Sequence, residues 1–293
     1  MNVSEFFQAL ANPDMGFFRY AVLTGVIASI AFGIVGTYVV ARRITYIAGA
    51  IAHCILGGIG MALYLQYKLQ AAWITPMGGA IAAALFSAIV IGIVSMHWKQ
   101  REDAVISAMW AVGMALGVLF MALTPGYQSA MSYLFGDILM VSRRDFYTVL
   151  ALDALIVALC LLFYNKFLAV CFDNDFARIK GVHVEFYYLL LLCLTALTIV
   201  LLISVVGLIM VIALLTLPAA ISGHFTRRLW KMMLFSIALS ILFTFSGLGL
   251  SYKWNVPSGA VIIILAGGGY LLTAAGTALR RKLRNRAAAD EGK

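Results

Sequence analysis

Apolar residues run through this chain in blocks of about twenty, separated by short polar breaks. Nine such blocks stand out: 17–40, 46–65, 73–96, 104–123, 146–165, 184–203, 205–222, 229–249 and 257–277. Crossing the hydrocarbon core of a bilayer takes ~20 mostly apolar helical residues. The pattern predicts nine membrane-spanning helices. The count falls to eight if the sixth and seventh blocks run together, because the break near Ser204 is short. Helices of this number and length leave no room for a soluble domain. The expectation is an all-α integral membrane protein, with residues 1–293 forming a single transmembrane domain.

Composition agrees. Hydrophobic residues make up 63% of the chain and charged residues 11%, and the mean hydropathy is +1.00. Soluble domains carry about 25% charged residues. The net charge of +9 is therefore no sign of nucleic-acid binding. Its distribution sets an orientation instead, because Lys and Arg concentrate in cytoplasmic loops. Arg42 and Arg43 follow the first block, Lys99 and Arg101 the third, Lys166, Arg178 and Lys180 the fifth, Arg227 and Arg228 the seventh, and a cluster from Arg280 to Arg286 the ninth. Alternate loops are basic, which puts the N-terminus outside and the C-terminus in the cytoplasm of a plasma-membrane protein. The Arg143–Arg144 pair departs from the pattern. No secretory leader is expected, since Glu5 and Asp14 stand where a basic segment would be. Cys54, Cys160, Cys171 and Cys193 lie in or beside apolar blocks without metal-ligand spacing, and read as small core residues.

Two connections are too long to be simple turns. Residues 124–145, on the outer side, open with Thr124-Pro125-Gly126 and continue with a helical period too short to span. They read as an outer re-entrant segment, which is tolerated where protein covers it. Residues 172–183, on the cytoplasmic side, hold N-cap candidates in Asp173-Asn174-Asp175, an apolar face with Phe176 and Ile179, and a helix stop at Gly181. They predict a short amphipathic cytoplasmic helix. Residues 284–293 are expected to form a disordered tail.

Ionisable residues within a membrane are costly and mark functional sites. His53, in "YIAGAIAHCILGGIG", sits ~10 Å inside the second helix. Gly49 and Gly57 lie one turn either side, leaving its face bare. It reads either as a transient ligand for a transition-metal cation or as a structural histidine bonded to a carbonyl. Asp153 reads first as a structural partner in the outer layer. Asp137 is a solvated or capping aspartate of the outer segment. Glu102 and Asp103 suit the positive end of the fourth helix dipole. Arg143 and Arg144 either receive acidic groups of an extracytoplasmic partner or extend to the interface. No phosphate-binding lysine loop, serine-hydrolase elbow or zinc-peptidase pair occurs in the sequence, so the chain reads as a non-enzyme with no ATPase of its own.

Four blocks taken together resemble the permease subunits of ATP-binding cassette importers for zinc, manganese and iron. "RRITYIAGAIAHCILGGIG" resembles that family's basic pair and gate helix, "EDAVISAMWAVGMALGVLF" its fourth helix, and "SYLFGDILMVSRRD" its outer re-entrant segment. "FDNDFARIKGV" with "VVGLIMVIALLTLPAAIS" resembles its coupling segment and the helix beyond. The resemblance covers roughly residues 15–277, in family order.

The resemblance implies a type II importer-like bundle that carries a divalent transition metal into the cytoplasm. A second permease chain, as homodimer or heterodimer, would complete the path. Two copies of a cytoplasmic ATP-binding subunit would supply the energy, and an extracytoplasmic metal-binding protein would deliver the cargo. It further implies that the chain itself holds no cofactor and contacts only membrane lipid otherwise. His53 would be the metal-contacting gate residue, with Gly49 and Gly57 along the path. Phe172, Asp173, Phe176, Ala177 and Gly181 would couple to the ATPase by a helix-in-groove contact. Asp137, Arg143 and Arg144 would face the binding protein. The sequence departs from the family's D-x-x-x-H gate pattern, because Gly49 stands where the aspartate belongs. A permease for a metal chelate or another small solute is the alternative this departure suggests. An ion-coupled secondary transporter is the other, with Asp153 its only support.

Overall fold

A computed structural model describes residues 16–71, 73–98, 101–125, 143–254 and 256–290. The described residues form helices joined by short turns. In chain order these are α1 (Gly16–Ala41), α2 (Thr45–Leu69), α3 (Pro76–His97), α4 (Glu102–Ala122), α5 (Arg143–Leu162), α6 (Tyr164–Phe172), α7 (Asn174–Ile179), α8 (Val184–Val206), α9 (Leu208–Phe225), α10 (Leu229–Trp254) and α11 (Ser258–Asp290). Eight of them are long and apolar enough to cross a membrane. The stretch from Phe146 to Phe172 makes a ninth span if taken as one, broken by a 70° bend after Leu162. The nine apolar blocks thus match the architecture.

Local chemistry explains most helix ends. Thr75 caps α3, accepting a hydrogen bond from the Gly78 N–H at 3.1 Å, and Pro76 takes the first helical position, where a missing N–H costs nothing. Gly207 separates α8 from α9 with φ 83° and ψ 154°, a conformation that a side chain would make costly. The break therefore falls at Gly207, three residues beyond Ser204. At the C-terminus α11 runs to Asp290, into the stretch 284–293 expected as a disordered tail. The alanine run 287–289 has the highest intrinsic helix propensity.

Spans α1 and α2 are the most enclosed, and α4 and α11 the most peripheral. On its way across, α2 packs against α4 with small residues facing small residues. A Cβ on Gly57 would lie 2.7 Å from the Gly113 carbonyl oxygen, so only glycine allows the helices this close. Four of the five tryptophans in the sequence sit at helix ends: Trp73 before α3, Trp98 after it, and Trp230 and Trp254 at the two ends of α10. Those positions suit the membrane–water interface.

One end of the bundle is tied by a polar network. The Tyr46 hydroxyl of α2 donates to Glu102 Oε1 of α4 at 2.9 Å, and the Ser95 hydroxyl of α3 donates to the same oxygen at 2.8 Å. Ser95 also bonds the Tyr188 hydroxyl of α8 at 3.1 Å, and the Arg42 guanidinium lies over the Tyr188 ring. Glu102 thus cross-links helices as well as standing in the first turn of α4.

Candidate functional site

His53 lies eight residues into α2, ~12 Å from the helix start. Its imidazole stacks on the indole of Trp110 from α4, with ring centroids 4.6 Å apart and planes 15° from parallel. Such ring pairs contribute about 0.5–1.5 kcal/mol beyond buried area. The His53 Nδ1 is buried and has no hydrogen-bond partner. One turn earlier, a Cβ on Gly49 would meet nothing within 4 Å, so the space where the family pattern has a carboxylate is open. Cys54 is turned away, its thiol donating to the Met109 carbonyl at 3.1 Å.

Gly57 does not share that open side. Its contact with the Gly113 backbone makes it a packing residue, and it also borders the cavity between α2, α3 and α4. Eight residues turn a helix by about 80° relative to Gly49, enough to move Gly57 from the open face into the helix contact. The cavity of about 700 Å³ between α2, α3 and α4 is lined by such residues as Gly58, Met61, Trp73, Phe86 and Phe120, and no charged side chain is among them. Among the described residues no three His, Cys, Asp or Glu side chains converge. Asp153, only 5% exposed, is buried on α5 beside the Ala31 backbone of α1.

The short helix α7 forms where its caps require. Asp173 Oδ1 accepts from the Asp175 and Phe176 N–H groups at 3.0 and 2.9 Å, and Gly181 takes φ 73° just beyond the helix. Arg178 pairs with Glu185 at the start of α8, clasping α7 to the span that follows. Phe172, Phe176 and Ile179 are exposed, Ile179 at 83%, whereas Ala177 is fully buried. Ala177 is therefore an internal anchor and leaves the expected docking set. A six-residue helix has too few turns for its sequence to reveal which face is inward.

Of the outer residues expected to meet a binding protein, Arg143 begins α5 with its guanidinium over the Tyr147 ring. Asp137 lies outside the described residues, as do residues 126–142 of the expected re-entrant segment and the Arg144 side chain.

Residues 14–276 match the family model described as the ABC 3 transport family. The chain belongs to the ABC 3 transport family. Its relatives include a protein of Chlamydia pneumoniae described as a "probable metal transport system membrane protein", 42% identical over 83% of each chain. A manganese transport system membrane protein of Listeria innocua is 29% identical over 86% of this chain and 87% of its own. Among solved structures, a chain of PsaBC from Streptococcus pneumoniae, in complex with Fab, superposes with a TM-score of 0.81 at 27% identity, covering 92% of this chain and 95% of that one. As an ABC 3 member the chain is a multi-pass membrane permease subunit. It does no chemistry itself, and ATP is hydrolysed by a separate partner subunit.

Proposed function

We propose that this permease moves a divalent transition metal ion, one of zinc, manganese or iron, into the cytoplasm, and that His53 contacts the ion on its way. The observation that carries this reading is a mid-span imidazole whose Nδ1 has no hydrogen-bond partner, one helical turn from the open position at Gly49. An ordinary core histidine bonds a carbonyl or a hydroxyl, since an orphaned polar group in lipid costs free energy. A neutral imidazole is also a common ligand for these metals. A single imidazole per chain is a weak site, and weakness suits cargo that must leave.

A second copy of the chain would bring a second His53 to the axis, giving two nitrogens and no charge. That donor set favours zinc or ferrous iron over manganese. A second, different permease chain bearing the aspartate would restore the charge and the preference for manganese. Manganese is named in several relatives. A pair of ATP-binding subunits would dock beneath, receiving Phe172, Phe176 and Ile179 in a groove, and an extracytoplasmic metal-binding protein would meet the opposite face near Asp137, Arg143 and Arg144. The alternating basic loops support this orientation.

Uptake into proteoliposomes holding the permease, its ATPase and its binding protein tests the reading. ATP-dependent accumulation of zinc, manganese or ferrous iron as free ions is the expected result. Accumulation of a metal chelate with no uptake of any free ion would replace it with the chelate reading.

A further inference from the structure

Four tryptophans of this chain sit at helix ends, and the fifth, Trp110, does not. It lies eight residues into α4, about 12 Å from the helix start, and its ring is stacked on His53. A metal-binding histidine is ordinarily held by a second hydrogen bond, from its other ring nitrogen to a carboxylate or carbonyl, which fixes the ring and its tautomer. His53 lacks that bond, because its Nδ1 is buried without a partner. What fixes its ring plane is the indole.

We propose that Trp110 is the positioning residue of the His53 site, taking by ring stacking the role that a second-shell hydrogen bond takes elsewhere. This rests on the reading of His53 as a metal contact. With Nδ1 buried, Nε2 is the nitrogen left to take the cation. The stack holds the ring so that the ion approaches in its plane, toward the space beside Gly49. A ring that binds a cation gains positive character, and the face of an indole attracts positive charge. The stack therefore tightens as the ion binds, without a carboxylate that would hold it too long. Removing a second-shell partner typically costs 10–100-fold in metal affinity.

The position also makes Trp110 an internal reporter. A paramagnetic ion on His53 lies within a few ångströms of the indole and quenches its emission. The test uses the permease–ATPase complex purified without the binding protein, titrated with cobalt(II) alone. Affinity is read from cobalt absorption, quenching from tryptophan emission. In the wild type, cobalt is expected to quench a share of the emission that Trp110→Phe lacks. Trp110→Phe keeps an aromatic face and is expected to bind cobalt nearly as the wild type does. Trp110→Leu is expected to bind 10–100-fold more weakly. His53→Ala is expected to lose both binding and quenching.

If His53→Ala retains both, the metal contact itself is wrong. If His53→Ala loses binding while Trp110→Leu keeps wild-type affinity, His53 stands and the positioning role of Trp110 is overturned. Should Trp110→Leu fail to assemble, the wild type and Trp110→Phe decide. Saturating cobalt that leaves Trp110 emission unchanged overturns the proposal.

Discussion

The same substitution, glycine to alanine, has opposite consequences at two positions of this bundle. A Cβ added at Gly113 would stand 2.7 Å from the Cys54 Cα, 3.0 Å from its Sγ and 3.2 Å from its backbone nitrogen. Ordinary carbon contacts are about 3.5–4.0 Å, so α4 must move away from α2 by about 1 Å. The blocking atoms belong mainly to backbone and cannot swing aside. Overpacking of this kind costs about 1–3 kcal/mol. Alanine recovers about 1 kcal/mol of helix propensity over glycine, leaving Gly113→Ala destabilised by about 0–2 kcal/mol, against a gain of about 1 kcal/mol where the new methyl meets nothing. At Gly49 the new methyl meets nothing within 4 Å, and the propensity gain stands alone. At about 2–4 °C per kcal/mol, the Tm of the purified permease should fall by up to about 8 °C in Gly113→Ala and hold or rise slightly in Gly49→Ala. Thermal unfolding in detergent, followed by tryptophan emission, reads both. Equal Tm changes in the two variants would refute the claim that α2 and α4 meet through Gly113 while Gly49 faces open space.

Other consequences follow from the same geometry. Phe176→Asp should leave the permease folded but release the ATP-binding subunit, because a charge would enter the docking groove at a cost of several kcal/mol. Ala177→Asp should instead destabilise the permease itself, since that side chain is wholly buried; co-purification and thermal stability separate the two, and full ATPase recovery with Phe176→Asp would remove α7 as the coupling element. Gly49→Asp should fit without strain, rebuild a carboxylate one turn from His53, and raise manganese uptake relative to zinc; an unchanged ratio would mean that the two positions do not share the path. A reporter fused after Lys293 should be cytoplasmic and one inserted at Lys253 external, and finding both on one side would overturn the orientation.

Hydropathy made the spans legible, because a lipid-crossing helix must be apolar all along its length. Capping chemistry made α7 legible too: Asp173 and Gly181 act through their own backbone neighbours, so their roles lie in a few adjacent residues. Contacts between helices were harder to read. Glycine at close packing and glycine beside a void are the same letter, and at Gly57 only the facing Gly113 reveals the helix contact. Glu102 looked like a helix-end carboxylate, yet its oxygen is shared by Tyr46 and Ser95, whose approach depends on how three helices cross. Ala177 turned inward on a helix too short to show a period. Trp110 went unremarked, although one signal was present. It is the tryptophan of this sequence placed in mid-span, away from the helix ends where its four counterparts sit.

The central claim is that a metal ion passes His53, and the ratio of metal ions imported to ATP hydrolysed tests it most directly. Wild type and His53→Ala would be compared in proteoliposomes holding the complete transporter, with zinc and manganese each supplied as cargo. The account predicts that His53→Ala assembles and hydrolyses ATP on engagement of the loaded binding protein, but that its ratio for either metal collapses. A wild-type ratio for both metals in His53→Ala would contradict it and leave the imidazole a packing residue against Trp110.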